Sequence, residues 1–446
     1  MGPRGVAAAL LRRVEVDGGL VDVLLEDGLI AAIGTDLVAP ADVEEVDGRG
    51  GALIPGLHDH HLHLFAMAAA GQSVDMSGDA LAALWAADAT LPVGKWIRAV
   101  GWHESSGWEL DRKTLDYAVP GRPVRVQHTS GALWVLNSPA LEAVGLADHP
   151  TGRLYGMDTF LRDRLGGTPP DLTAVGRDLT AVGITGVSDA TPYDRLDDVR
   201  RLAGAVAQRV MVTGAPGLDL GGVEGVLVGP AKVVVADHEP PSVEALAGEV
   251  HEARRHGRSV AFHCASRLGL VLALAALESA GARPGDRIEH GAVIPDDAVD
   301  TLVRLGLTVV TQPAFVRERG DRYLADVDAD DRPHLWRCGS LLRAGVAVAG
   351  SSDAPHGPAD PWQAMRAAVE RRTAAGAVLG DDERVTARVA LDLFLGPLDD
   401  PGGPPRRVAA GAPADLCLLH APLADVLAEP DASAVRLTVT AGRVAR

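Results

Sequence analysis

Cysteine is nearly absent from this 446-residue chain, and Cys264, Cys338 and Cys417 stand at unrelated spacings. That excludes a disulfide framework and a zinc-ribbon pattern. Lysine is equally scarce: of 42 basic residues only Lys95, Lys113 and Lys232 are lysine. Arginine therefore serves wherever charge alone is wanted, and a retained lysine points to amine chemistry. Positive charge as a whole is in deficit. The formal net charge is −18 and no block of Lys/Arg gathers to oppose it, which argues against nucleic acid and against an anionic membrane surface as partners. No run approaches 18 apolar residues, so no membrane-spanning helix is expected. Near the start, apolar residues 6–11 are followed by Arg12-Arg13, too short and in the wrong order for a signal peptide. A cytoplasmic location is the expectation. With 47% hydrophobic residues the chain can bury a large core, enough for one domain of barrel size and a small second one.

What is present is concentrated. Residues 58–63 read His58-Asp59-His60-His61-Leu62-His63, closing an apolar run at 52–54 that reads as a strand. Side chains alternate along a strand, so Asp59, His61 and His63 share one face while His58 and His60 share the other. Only one His-x-His pair can point at a common ion, and parity alone does not choose between them. Neutral imidazole is the commonest protein ligand of divalent metals, so this stretch is half of a candidate metal site.

The ends of the chain have a common texture. Strand-like runs at 6–16, 21–26, 29–33 and 52–54 are joined by the hairpin signals Asp17-Gly18-Gly19 and Asp27-Gly28, and runs at 414–419, 434–440 and 441–444 repeat the pattern. Both termini are expected to pair into one small β-sandwich domain, residues 1–56 with 402–446. Between them, over 57–401, strand-like runs alternate with Ala/Leu-rich helical runs, the signal for βα units. Strands are predicted at 57–63, 183–189, 209–214, 232–236, 259–264, 287–290, 308–312 and 346–350. Eight strands predict an α/β fold closed as a (β/α)8 TIM-type barrel. The first gap is too long for one helix, so residues 92–165 are read as an insertion, carrying Trp96, Trp102, Trp108, Trp134, His103 and His128. It is expected to cover the barrel mouth, with most of its tryptophans forming its own core.

Barrel active sites lie at the C-terminal ends of the strands. Ligand types recur there: Lys232 opens the fourth strand, His263 and His290 end the fifth and sixth, and Asp353 follows the eighth. Lys232 leads a Val-Val-Val run and is either an edge residue in water or a buried amine. Burial lowers an amine's pKa, and a neutral amine can take up carbon dioxide as a carbamate, a ligand able to bridge two metals.

Pro55, Gly56, Asp59, His61 and His63 resemble the opening strand of the amidohydrolase superfamily, and Gly411, Pro413, Ala414, Asp415 and Leu416 resemble its return strand. The resemblance implies a binuclear site: one ion on His61, His63 and Asp353, a second on His263 and His290, and carboxylated Lys232 between them. Two Zn2+ are the default, with Mn2+ or Fe2+ using the same ligands. It also implies that Asp353 acts as general base and acid for a metal-bound hydroxide, with no serine or cysteine nucleophile and Cys264 left to packing.

Further motifs are similar to the YtcJ-like or amidohydrolase-3 branch, where N-substituted formamide deformylases are found. They are Gly101-Trp102 with Glu104-Ser105, Ser130-Gly131 through Asn137-Ser138, Gly183-Ile184-Thr185, Arg287-Ile288-Glu289-His290, Gln312-Pro313, and Gly350 to Pro355 with Asp360-Pro361. Two departures matter. Ala132 stands where the branch usually has histidine, and Asp237-His238-Glu239-Pro240-Pro241 replaces a Gly/Ser-rich loop. Deformylase specificity is therefore not carried over. Candidate substrate-binding residues are His128, which could replace the missing imidazole, Trp102, and Arg317 and Arg322 after the seventh strand, where a guanidinium would clamp a carboxylate.

The implied activity is hydrolysis of a C–N bond other than a peptide bond, in a small amide, formamide, carbamate or cyclic amide. A homodimer is left open. A mononuclear deaminase on the same barrel is the alternative, but it usually has glutamate three residues after the strand-five histidine, where this chain has Ser266. A non-catalytic scaffold would normally have dropped ligands, and all six are retained.

Overall fold

In a computed structural model of the chain, the structure describes residues 8–445 apart from 41–42, 105–108, 132, 167–169 and 238. The predicted strand start at 6–7 and residues Ser105, Trp108, Ala132 and His238 therefore lie outside the described residues. The chain forms two compact units, residues 1–63 with 173–446, and residues 64–172.

The first unit is α/β. One parallel sheet orders Leu227–Val228, Arg209–Val212, Ile184–Asp189 and Leu57–Leu62, and another orders Ala231–Val234, Val260–Cys264, Arg287–His290, Thr308–Thr311 and Ala347–Gly350. Apart from the two-residue Leu227–Val228, these are the eight predicted strands, numbered first to eighth below. Nearly all of their residues are buried, which suits strands covered on both faces.

Backbone bonds link the two sheets at both seams. Lys232 N donates to Gly214 O (2.8 Å), His63 N to Ala354 O (2.9 Å) and Asp353 N to His61 O (2.8 Å). Helices follow the strands with ordinary caps: Ser242 for Val243–Arg255 and Ser266 for Arg267–Ala280, each accepting a backbone N–H three residues on. Two glycines are dictated by close approach. A Cβ on Gly56 would lie 2.2 Å from Thr185, and one on Gly186 would lie 2.5 Å from the His58 ring.

Strands from both termini complete this unit. A four-stranded sheet orders Leu29–Gly34, Gly19–Glu26, Ala9–Val16 and Glu44–Asp47, and a second orders Arg443–Ala445, Val435–Thr440, Leu416–Leu419 and Leu53–Pro55. Leu11, Val23, Leu25 and Leu53 share one core with Leu416, Leu418 and Val439. The Glu44–Asp47 strand was not expected, because its Glu-Glu-Val-Asp composition carries little β signal.

The second unit holds a mixed sheet ordering Arg153–Tyr155, Leu133–Leu136, Val124–His128, Ile97–Trp102 and Val74–Asp75. It begins earlier than the predicted insertion at 92, because Val74–Asp75 pairs in parallel with Ile97–Trp102 and Ala80–Thr90 packs on both. No helix among the described residues is long and apolar enough to cross a membrane.

Candidate metal centre

All six predicted ligand residues belong to the first unit. His61 Nε2 lies 3.5 Å and His63 Nε2 3.4 Å from Asp353 Oδ1. Lys232 Nζ is 3.5 Å from His61 Nε2, His290 Nε2 is 3.0 Å from His263 Nδ1, and His290 Nδ1 is 3.9 Å from Asp353 Oδ2. The His61 and His290 ring centroids are 4.6 Å apart, and those of His263 and His290 4.5 Å. His61 is fully buried, and Lys232, His290 and Asp353 are each less than 9% exposed.

The orientation of these groups follows from what their remote nitrogens touch. His61 Nδ1 bonds the Glu289 carboxylate, His63 Nδ1 bonds Thr191 Oγ1 (2.9 Å), and His290 Nδ1 bonds Gln312 Oε1 (2.9 Å). A carboxylate or an amide oxygen only accepts, so His61 and His290 donate from Nδ1 and present Nε2 lone pairs. Gln312 is itself fixed by donating to Ser351 Oγ (2.8 Å). For His61 the consequence is electrostatic: a nitrogen lone pair and a carboxylate oxygen face one another at 3.5 Å. Two acceptors at that separation need a proton or a cation between them. Burial opposes the proton, pulling His61 to about 4 and His290 to about 3. His61, His63 and Asp353 can therefore hold a divalent ion.

Lys232 is buried, and that burial pulls its amine below the ordinary lysine value against the raising effect of Glu289 and Asp353. Burial also works against ionised Asp353, but its hydrogen bond with His63 and the nearby His290, His356 and His61 outweigh it and hold the carboxyl well below the usual range. The backbone at His290 (φ 67°) and Asp353 (φ 55°) is left-handed. Non-glycine residues visit that region rarely, and strain of this kind gathers at functional sites.

Asp59 shares parity with His61 and His63 but takes another part. Its Oδ1 accepts from Ser352 N (3.1 Å) and His61 N (3.2 Å), tying the loop after the eighth strand to the first strand. His58 and His60 are buried. His58 Nδ1 meets Gly396 O at 2.9 Å, while neither ring nitrogen of His60 has a hydrogen-bond partner among the described residues. Cys264 is fully buried, and Ser266, three residues after His263, accepts from Gly269 N and donates to Asp237 as a helix cap.

Glu289, Arg287, Gln312 and Thr191 were not predicted as site residues. A signal existed for two of them: Arg287 and Glu289 alternate on a strand otherwise fit for the interior, so both charges point one way.

The proposed substrate-binding residues fare differently. Trp102 is fully buried in the core of the second unit with Ile97, Leu115 and Val126. Arg317 is exposed and Arg322 half-buried on Ala314–Asp326, but the arginine of that helix that reaches the loop after Asp353 is Arg319. Its Nη2 donates to His356 O (2.6 Å) and its guanidinium stacks 3.9 Å over Phe315.

His128 lies in the second unit with His103 and Glu104, and these three also bring ligand atoms within 4.8 Å of one another. Ser130 N donates to His128 Nδ1 (3.0 Å), so in the neutral ring the proton sits on Nε2, facing Glu104 Oε2 at 2.9 Å. The other Glu104 oxygen accepts from Arg153 (2.9 Å).

Fold and site together define an α/β chain with a candidate metal centre at the C-terminal ends of its parallel strands. The chain belongs to the Amidohydrolase family, which it matches over residues 44–446. It is 27% identical to an N-substituted formamide deformylase of Arthrobacter pascens, covering 83% of this chain and 84% of that one. It is 25% identical to the putative amidohydrolase YtcJ of Bacillus subtilis (strain 168), covering 79% and 80%. Its fold is similar to that of an uncharacterized metal-dependent hydrolase from Pyrococcus horikoshii OT3, with a TM-score of 0.73, 20% identity, and 98% and 100% of the two chains covered.

Proposed function

We propose that this chain is a metal-dependent hydrolase cleaving a C–N bond of a small amide, formamide, carbamate or cyclic amide. The observation that carries the reading is the buried meeting of His61 and His63 Nε2 with Asp353 Oδ1 at 3.4–3.5 Å, beside the Lys232 amine. His61, His63 and Asp353 would hold one ion and His263 and His290 a second. Neutral Lys232 would add to carbon dioxide, forming an N–C bond and releasing a proton, to give the carbamate between them. When bound, such ions lower the pKa of water and polarise a carbonyl oxygen. Zinc is the first candidate for this mixed His/carboxylate donor set.

The chain's own residues then handle the protons. Asp353 Oδ1 faces two imidazoles, which leaves Oδ2 to accept a proton from the attacking water and return it to the leaving nitrogen. Glu289 and Gln312 hold His61 and His290 in single tautomers, with the Nε2 lone pair of each ring left available to a cation. We also infer that the eight parallel strands close as a (β/α)8 barrel, supported by the backbone bonds at both seams. Residues 1–56 and 402–446 are read as a β-sandwich domain, supported by their common core.

The name of the Arthrobacter relative makes N-formyl compounds the first substrates to try, followed by N-acyl, carbamate and lactam compounds. Screening them against zinc-loaded protein, with elemental analysis of the same sample, tests the reading. C–N cleavage that disappears on chelation supports it. Protein that takes up no divalent metal, or that releases ammonia from aminated heterocycles while leaving every amide intact, overturns it.

A further inference from the structure

Of the candidate ligand imidazoles His61, His63 and His290, each with its Nδ1 hydrogen-bonded, His61 has a carboxylate as its hydrogen-bond partner and the other two do not. His63 leans on a hydroxyl and His290 on a neutral amide, while His61 donates to Glu289. Glu289 is fully buried, and its second oxygen accepts from Arg287 Nε (2.5 Å), itself 2% exposed. Both carboxylate oxygens are therefore committed, and Glu289 is not placed to be a metal ligand itself. Nor is fold stability a sufficient reason for the arrangement. Replacing a buried ion pair with packed apolar residues is often neutral or stabilising, so the Arg287–Glu289 pair calls for another role.

We propose that Glu289 is a positioning residue for metal binding. Anchored by Arg287, it fixes the His61 ring with Nε2 toward Asp353, and its charge makes His61 a stronger donor than His63 or His290. A carboxylate behind a ligating histidine restricts the ring and raises its basicity, and losing such a partner typically weakens metal affinity by about 10–100-fold. The inference rests on the metal-hydrolase reading above and deepens it: zinc retention should depend on a residue that never touches zinc.

The test is chelator competition on zinc-loaded protein, following zinc retained per chain against chelator concentration. Glu289→Gln keeps an oxygen to accept from His61 and removes only the charge. We expect at least one equivalent of zinc to be held about 10–100-fold more weakly. A folded Glu289→Gln protein with zinc affinity within about twofold of the parent, well short of the expected loss, overturns the proposal. That variant strands the Arg287 charge in the interior, so Arg287→Gln/Glu289→Gln is measured beside it as a fold-neutral pair. The double variant should show the same weakening. Parental affinity in the double variant overturns the proposal, since Glu289 would then serve only to neutralise Arg287. If the parent itself retains no zinc, the hydrolase reading falls and this inference with it, an outcome distinct from a variant that binds like its parent.

Discussion

The molecule contains two histidine–carboxylate groups that look alike by proximity: His61, His63 and Asp353 in the first unit, and His103, Glu104 and His128 in the second. Each offers three ligand atoms within 4.8 Å, yet their hydrogens point in opposite senses. In the second, a backbone N–H occupies His128 Nδ1, the Nε2 proton faces Glu104, and Arg153 takes the other Glu104 oxygen. The protein satisfies that carboxylate from its own groups. In the first, Glu289 draws the proton to the far side of His61, so that a lone pair and a carboxylate oxygen face each other, with His63 on the same carboxylate oxygen and the Lys232 amine 3.5 Å from the lone pair as the protein groups beside them, and no guanidinium bonded to Asp353 among the described contacts. Nearness alone is a poor criterion. The direction of each proton separates an internally paired cluster from one that calls for a cation.

Four measurements would break or sharpen that contrast. The largest expected effect is from Asp353→Asn. It removes the proposed proton acceptor and should lower turnover by about 10²–10⁴-fold while elemental analysis still finds metal; unchanged turnover would remove Asp353 from the chemistry. Next, Lys232→Ala should lose at least one equivalent of metal, and a full complement in that variant would deny the amine any part in the first cluster.

A smaller effect is expected from pH. In metal-stripped protein, burial holds His60 and His290 at about 3 and His61 at about 4, against 6.5 for an ordinary imidazole. The unfolded chain takes up these protons first, so their contribution to stability is intact above pH ~6.5 and is lost as pH falls toward ~4. Asp59, raised by burial to about 6, acts in the opposite sense because it favours the fold when protonated. Three groups outweigh one, and the urea midpoint should fall between pH 7 and 4.5; a midpoint that rises would show that the first cluster is not held neutral. The smallest effect should come from His103→Ala/His128→Ala, for which metal content stays at the parental value. A loss of metal there would erase the distinction between the clusters.

Much of the first unit was legible in the sequence. Each of the eight parallel strands falls within two residues of its expected start; for most of them short apolar runs bounded by helical runs are the local signal, while the first is marked by its histidines. The six candidate ligands stood out in the sequence because histidine and a rare lysine lay at strand ends. What escaped was the scaffolding behind them. Thr191 and Gln312 are ordinary polar residues whose roles exist only once distant strands are adjacent. The sheet of the second unit was missed because two of its five strands, Val74–Asp75 and Arg153–Tyr155, are only two and three residues long, and arginines interrupt the apolar pattern of Ile97–Trp102 and Val124–His128. Trp102 shows a related difficulty: a large aromatic ring suits a pocket wall and a core equally, and sequence alone does not tell that this ring is buried with Ile97, Leu115 and Val126.

The loop after the eighth strand meets the first strand across most of the chain: Ser352 N bonds Asp59 Oδ1 over a separation of 293 residues. During synthesis the histidines of the first strand leave the ribosome long before the carboxylate that completes their cluster. A nascent chain ending short of Asp353 carries exposed imidazoles without their anionic counterpart. If these three side chains hold an ion together, that ion can be bound only after synthesis has passed Asp353, and a chain truncated before it is expected to lack the complete ligand set.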